Sequence, residues 1–375
     1  MTADTVNRRD FLKLGALAGV AAATVLSAPA HAATTPRTLA ECMEMSPTAM
    51  AEASAPVCAS WDSVRQCAGL IRNPAIRAGV LAVLDNPAPT VARGMDAARK
   101  KGMYQELTAK GLLNDVAEKD FLPPVADAAR AAQPFNSAPG SGYQSHHAYP
   151  GGLATHTDLN VRVSLALYDG YRDVYGYLLD RDVVLAAQLL HDLHKPWVFQ
   201  WSETGESRTE LKIAGTGEHH PLSVAESIAR GLPAEVVVAQ ACAHNHPRTP
   251  ADEAEVVGWI KAAAVIAGVD PVGRGLLEKD GKTLPLPRRQ EGFVTHLGDH
   301  DWVLTVPAVQ WVLPAMERIA QRDYRLSQGD LKKKPFNQLR NYVFSQVSAM
   351  SLYETYAAKG EDELAREIRA VVVPA

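Results

Sequence analysis

After residue 32 the sequence has no stretch that stays apolar for 18 residues, so no later segment reads as a membrane-spanning helix and no stable membrane anchoring is expected. It has no excess of positive charge: 38 Lys and Arg stand against 42 Asp and Glu, a formal net charge of −4. Without a basic stripe, long nucleic acid is excluded as the expected partner. The four cysteines, Cys42, Cys58, Cys67 and Cys242, form no C-x-x-C pair, which argues against a cysteine zinc site. An oxidising compartment could join two of the first three. Cys242 sits in the apolar run AEVVVAQACAH and reads as a small buried residue. No glycine-rich P-loop is present, so Walker-type nucleotide hydrolysis is not supported. Aromatic residues make up 6% of the chain, and strand patterns are scarce; WVFQW and ELKIA are the candidates for one short hairpin. What is plentiful is alanine and apolar residues at helical spacing, which predicts an all-α fold.

The first 32 residues read differently from the rest. Arg8 and Arg9 form a twin-arginine pair, Phe11, Leu12 and Lys13 follow, an apolar run extends from Leu14 to Leu26, and Ala30-His31-Ala32 supplies a small-residue cleavage pattern. This predicts a cleaved signal for the twin-arginine export machinery, with the mature protein in the periplasm or outside the cell. Proteins on that route cross the membrane folded, often with a cofactor installed, so metal loading could precede export.

The remainder divides by composition into residues 33–135, a loose leader over 33–60 followed by helical spacing, then a core over 136–275, and then a C-terminal helical extension packed on it over 276–375. Residues 133–152 have loop chemistry. Helical patterns follow at about 153–171, 182–195, 219–231, 233–245 and 253–268. Residues 280–300 read as a loop, before helices near 306–322, 336–358 and 361–372.

Nine of the twelve histidines fall between His146 and His246, where random scatter would place roughly a quarter. In LLHDLHKPW, residues 189–197, four polar groups follow two buried-type leucines, and such groups are costly to bury without partners. On a continuous helix His191, His194 and Lys195 share one face, with Asp192 at its edge. Further ligands must come from other helices: His156, His220, His244 and Asp270 are the candidates. Imidazole and carboxylate suit Zn, Mn or Fe.

The order His156, His191-Asp192, His220, His244, Asp270 resembles the HD-domain superfamily of metal-dependent phosphohydrolases. HHAYPGGLATH is similar to that superfamily's lead-in to its first histidine, LLHDLHKP to its signature, GEHHPLSVAESIA to its next metal-bearing helix, and AAAVIAGVDP to its closing aspartate. The resemblance covers roughly residues 140–275 and implies a helical bundle with flanking helices at both ends. It implies a first divalent ion held by His156, His191, Asp192 and Asp270, with Asp192 bridging to a second held by His220 and His244. The ions expected are Mn, Fe, Zn or Mg. His220 is preferred to His219 because it directly precedes Pro221, and His244 to His246 because Pro247 biases His246 toward an extended conformation. His194 stands where the superfamily usually has glycine, and is read as an extra ligand or a substrate contact.

The implied reaction is hydrolysis of a small phosphorylated substrate by a metal-activated water, with Asp192 and Lys195 as catalytic residues and Lys195, His194 and His147 contacting substrate. His146 and His147 are neighbours in a loop at the expected substrate mouth. Trp197, Phe199 and Trp201 are open to a pocket or a packing role, Lys195 to a helix-capping role, and His296 and His300 are given no role. The rival readings are a di-iron centre that activates oxygen, as in myo-inositol oxygenase, and an exported metal-binding protein without turnover.

Overall fold

The computed structural model describes residues 36–143, 145–286 and 290–374. The twin-arginine segment lies outside the described residues. As the sequence predicts, the fold is all-α. The helices are α1 (Leu39–Glu44), α2 (Pro47–Glu52), α3 (Ala55–Gly69), α4 (Pro74–Asp85), α5 (Ala97–Ala109), α6 (Gly152–Tyr175), α7 (Arg181–Leu190), α8 (Lys195–Val198), α9 (His219–Ala229), α10 (Ala234–Ala241), α11 (Pro250–Ala267), α12 (Glu291–Gly298), α13 (Trp302–Tyr324), α14 (Lys334–Gln346), α15 (Ala349–Lys359) and α16 (Glu361–Val371). Two short pairings complete it: β1 (Arg37–Thr38) runs parallel to β4 (Val372–Val373), and β2 (Lys212–Ile213) antiparallel to β3 (Thr216–Gly217).

The described residues belong to one compact unit. Its larger core lies among α3–α7 and α9–α11, while the α13–α16 helices close a second core with Cys42, Met50 and Tyr149. α7 runs through the first core, and every residue from Val183 to Leu190 is buried, as an all-round apolar helix requires. Asp180 starts it by accepting from the Asp182 and Val183 N–H groups. α6 begins after Gly151 and stops at Gly176, both left-handed, with the paired C-terminal bonds of a Schellman turn from Gly176 and Tyr177 back to Arg172 and Tyr171. Thr249 and Asp252 form a capping box at the start of α11.

Several sequence expectations are corrected. WVFQW and ELKIA do not pair with each other: Trp197 and Val198 belong to α8, and Lys212–Ile213 turns back on Thr216–Gly217. The expected loop over 280–300 contains α12, which packs against α6, α7 and α10. The helix expected over 336–358 is broken between Gln346 and Ala349. The leader over 33–60 already holds α1, α2 and the start of α3. The helix expected over 182–195 ends at Leu190; a turn carries residues 191–194, and Pro196 sits in the first turn of α8, where proline is tolerated. That break decides where His194 points. Among the described residues no helix is long and apolar enough to cross a membrane. All four cysteines are free thiols.

Candidate metal centre

α6, the turn after α7, and the end of α12 deliver the centre. His156 lies one turn into α6, His191 and Asp192 open the turn after Leu190, and Asp299 directly follows α12. His156 Nε2 is 3.1 Å from Asp192 Oδ2 and 3.1 Å from Asp299 Oδ1. His191 Nε2 is 3.0 Å from Asp192 Oδ2, 3.3 Å from Asp299 Oδ1 and 3.4 Å from His156 Nε2. Ligands about 2.1 Å from one ion lie about 3.0 Å apart in octahedral and about 3.4 Å apart in tetrahedral geometry, so these four atoms already have the spacing of a single coordination shell. His191 Nδ1 donates to the Gln188 carbonyl at 2.7 Å, which leaves Nε2 as the ligand atom.

A second group adjoins the first on the other Asp192 oxygen. His219 Nε2 and His244 Nε2 each lie 3.5 Å from Asp192 Oδ1, and His244 Nε2 lies 3.4 Å from Asp299 Oδ2. His220 stacks on His244 with ring centroids 3.3 Å apart, and the three histidines can share one ion. His219 Nδ1 meets Glu210 at 2.5 Å, so its outer nitrogen has the carboxylate partner typical of metal-ligating histidines. His220 Nδ1 meets the Thr216 hydroxyl at 2.6 Å. The distance to Asp192 therefore favours His219 over the sequence preference for His220.

The electrostatics differ between the groups. Burial opposes charge throughout the first group, but the Asp192 and Asp299 carboxylates overcome it and raise His191 to about 9. Asp301 and the same carboxylates hold His156 well above the usual imidazole range against burial. Burial would lift Asp192 and Asp299, yet charge from His191, with Lys195 added for Asp192, keeps both well below the carboxylate range. A cation bound there would compete with the protons these carboxylates favour on His156 and His191. In the second group burial and the neighbouring imidazoles push His220 well down, and burial lowers His244, leaving neutral rings of the kind that bind metal.

Lys195 reaches the same centre: its Nζ is 2.5 Å from Asp192 Oδ2 and donates to the Gly140 carbonyl at 2.5 Å. A cavity of about 310 Å³ opens above these groups and is walled in part by His146, Glu210, His296, His300 and Trp302.

Other sequence candidates are not brought here. Asp270 is exposed, beyond the left-handed Gly268 that ends α11, and its carboxylate accepts from Val272 and Gly273 N–H within its own turn. Asp299 stands where Asp270 was expected. His194 is fully buried but turned away by the break after Leu190: its Nε2 lies 3.3 Å from Glu226, and its ring packs edge-on to Trp197. Its backbone, φ −102° and ψ 6°, needs no glycine. His147 lies behind the wall, held by Asp301 and Tyr149, while His146 takes the position on the cavity. His246 packs on Phe293 and His296 and belongs to none of the groups with metal-ligand spacing among the described residues. Trp197 and Phe199 are core residues, and Trp201 donates to the Ser137 carbonyl.

Sequence reasoning missed Asp299 and Asp301, and gave no role to His296 and His300, which line the cavity. The available signal was GDHD, residues 298–301: a Cβ on Gly298 would come within 2.0 Å of Ser164 Oγ, so only glycine lets the end of α12 approach α6 closely enough to deliver Asp299. His194→Ala is expected to leave metal content unchanged while costing about 1–3 kcal/mol of stability, the range for a buried acceptor that loses a partner. Denaturant unfolding and metal analysis on one preparation check this, and loss of a metal equivalent would return His194 to the centre.

Comparison with known proteins gives a partial relative. Over 102 residues the chain is 34% identical to the dihydroneopterin 2′,3′-cyclic phosphate phosphodiesterase of Methanocaldococcus jannaschii, a match that covers 27% of this chain and 39% of that one. The chain therefore spans well under half of that relative's length. No family model and no solved structure matches. Independently of that likeness, the His/Asp groups have spacings that could hold metal ions.

Proposed function

We propose that the protein is a metal-dependent phosphohydrolase of the HD superfamily that cleaves a small phosphodiester at a two-metal centre. The observation that carries this reading is the approach of His156, His191, Asp192 and Asp299 at coordination-shell spacing, with the second Asp192 oxygen facing His219 and His244. The first four residues would hold one ion. Asp192 would bridge to the other, held with His244 and with His219 or His220. The ions would be Mn, Fe, Zn or Mg, and when bound they would supply Lewis-acid polarisation and a water of lowered pKa.

The residues of the chain do the rest. Lys195 meets a phosphoryl oxygen as a point charge. It is the one Lys or Arg among the described cavity residues, and Glu210 shares the wall, so the charge balance favours a monoanionic diester over a polyphosphate. The diester activity named for the archaeal relative agrees with that balance. Trp302 offers a flat face to the organic part of the substrate.

Metal analysis of the purified protein, followed by a panel of phosphomonoesters, linear diesters and cyclic diesters, tests the reading. Two ions per chain are expected, with diester turnover that chelation abolishes and divalent metal restores. Oxygen consumption by iron-loaded protein without ester cleavage would replace this reading with the di-iron oxygenase, and metal binding without either activity would replace it with a binding protein.

We also infer export. Arg8 and Arg9 would direct the folded, metal-loaded protein through the twin-arginine machinery to the periplasm or beyond, freeing residues 33–375. Changing both arginines to lysine is expected to leave uncleaved precursor in the cell; normal export of that variant overturns the inference.

A further inference from the structure

His156 has two ring nitrogens, and the metal centre uses one. Its Nδ1 faces away from Asp192 and Asp299 and lies 3.2 Å from Asp301 Oδ1. Both atoms are buried, and neither has another hydrogen-bond partner. The other Asp301 oxygen, Oδ2, is 2.6 Å from His147 Nε2. His147 Nδ1 in turn meets the Tyr149 hydroxyl at 3.2 Å, and that hydroxyl lies 2.8 Å from Thr155 Oγ1. We propose that Asp301 is a positioning residue for the metal ligand His156, and that His147 is the clamp that fixes Asp301.

The hydrogen bookkeeping gives the role. A carboxylate accepts and cannot donate. Asp301 opposite Nδ1 therefore selects the tautomer with its proton on Nδ1, and the Nε2 lone pair is left facing the atoms of Asp192 and Asp299. An imidazole in the other tautomer would present an N–H to the ion and could not bind it.

Two features argue against a purely structural reason for Asp301. The residue precedes α13 with helical dihedrals, φ −64° and ψ −27°, and its side chain makes no capping bond to the helix it opens. Its two oxygens instead face His156 Nδ1 and His147 Nε2. His147, for its part, is one of the few non-glycine residues with positive φ, at 52°. Gly140 N–H donates to its carbonyl at 2.8 Å, and a Cβ on Gly152 would sit 1.9 Å from that same oxygen. The loop is built so that glycines on both sides press His147 into a left-handed conformation, which aims its ring at Asp301. Backbone strain of this kind persists where the surroundings over-determine it, as they do at functional sites.

This rests on the metal-site reading above, and the test separates the two. Titrate the full mature chain with Co²⁺, following visible absorption, and measure the melting temperature of the metal-free protein alongside. Asp301→Asn is expected to bind the wild-type number of equivalents at saturation, with affinity lowered about 10- to 100-fold, the range for losing a carboxylate behind a ligating histidine. Wild-type affinity in that variant, with or without a lower melting temperature, overturns the proposal and leaves Asp301 structural. Loss of an equivalent at saturation also overturns it, and makes Asp301 a ligand, for which its grouping with His146 and His156 has the required spacing. If Asp301→Asn does not fold, His147→Ala carries the test, with a loss at the lower end, about 10-fold, expected and unchanged affinity overturning the clamp. Failure of wild-type protein to bind Co²⁺ would instead defeat the metal-site reading itself.

Discussion

Asp299→Ala is expected to strip the protein of bound metal and of phosphoesterase activity, while Asp270→Ala changes neither. Asp299, like Asp192, has an oxygen on each group: Oδ1 stands within 3.3 Å of both His156 and His191, and Oδ2 stands 3.4 Å from His244. Asn160 donates to Oδ1 at 2.7 Å and fixes the carboxylate's rotation. Its removal withdraws negative charge from beside His156 and His191 and deletes a proposed ligand of both groups. The activity loss should exceed the roughly 10²–10³-fold typical of one lost transition-state contact, because the metals themselves depart. Asp270 accepts two backbone N–H bonds in an exposed turn, so its removal should cost no more than about 1 kcal/mol. Metal content by elemental analysis and turnover on the best substrate of the panel decide the matter. An Asp270→Ala variant that loses metal, beside an Asp299→Ala variant that keeps it, would restore the sequence-based assignment.

The exchange of Asp270 for Asp299 shows what was legible in this sequence. The helical period is a local signal, and the helices it marks over 153–171, 219–231 and 253–268 are found close to where they were expected. His156 and the His191-Asp192 pair were also local, because polar residues inside an apolar pattern announce themselves. AAAVIAGVDP looked complete because its aspartate closes a long helix. What the sequence cannot display is which helix end folds back on the centre. That depends on α12 lying between α6, α7 and α10, and α12 was hidden by the Gly, Pro and charged residues that precede it. The error over His194 has a different cause. Spacing of three residues puts His191 and His194 on one face only if the helix continues, and it stops at Leu190. The Leu193 N–H then bonds back to the Leu190 carbonyl in a tight turn, which sends His194 toward Glu226 while Lys195 still reaches Asp192.

Lys195→Met is expected to keep the fold and the metals but to lower phosphoesterase activity by about 10²–10³-fold, the size of one removed charge contact in the transition state. The competing view makes Lys195 a cation that caps the end of α7. The carbonyls there already have partners: Gln188 O accepts from His191 Nδ1, and Leu190 O from Gln240 Nε2. Lys195 Nζ instead bonds the Gly140 carbonyl, in the loop that borders the cavity, and sits on Asp192. A lysine so placed can trade part of its contact with Asp192 for a phosphoryl oxygen once metal ions neutralise that carboxylate. Methionine preserves most of the apolar stem, so lost packing contributes little. The unpartnered Gly140 carbonyl should cost about 1–3 kcal/mol, read as a lower melting temperature. Activity per folded molecule, measured on the same preparation at saturating metal, separates the roles. A drop in melting temperature with unchanged turnover would make Lys195 a buried charge partner of Asp192 and nothing more. It would also leave a phosphoryl group in the cavity without a fixed cation, and so move the balance from the phosphohydrolase toward the oxygenase.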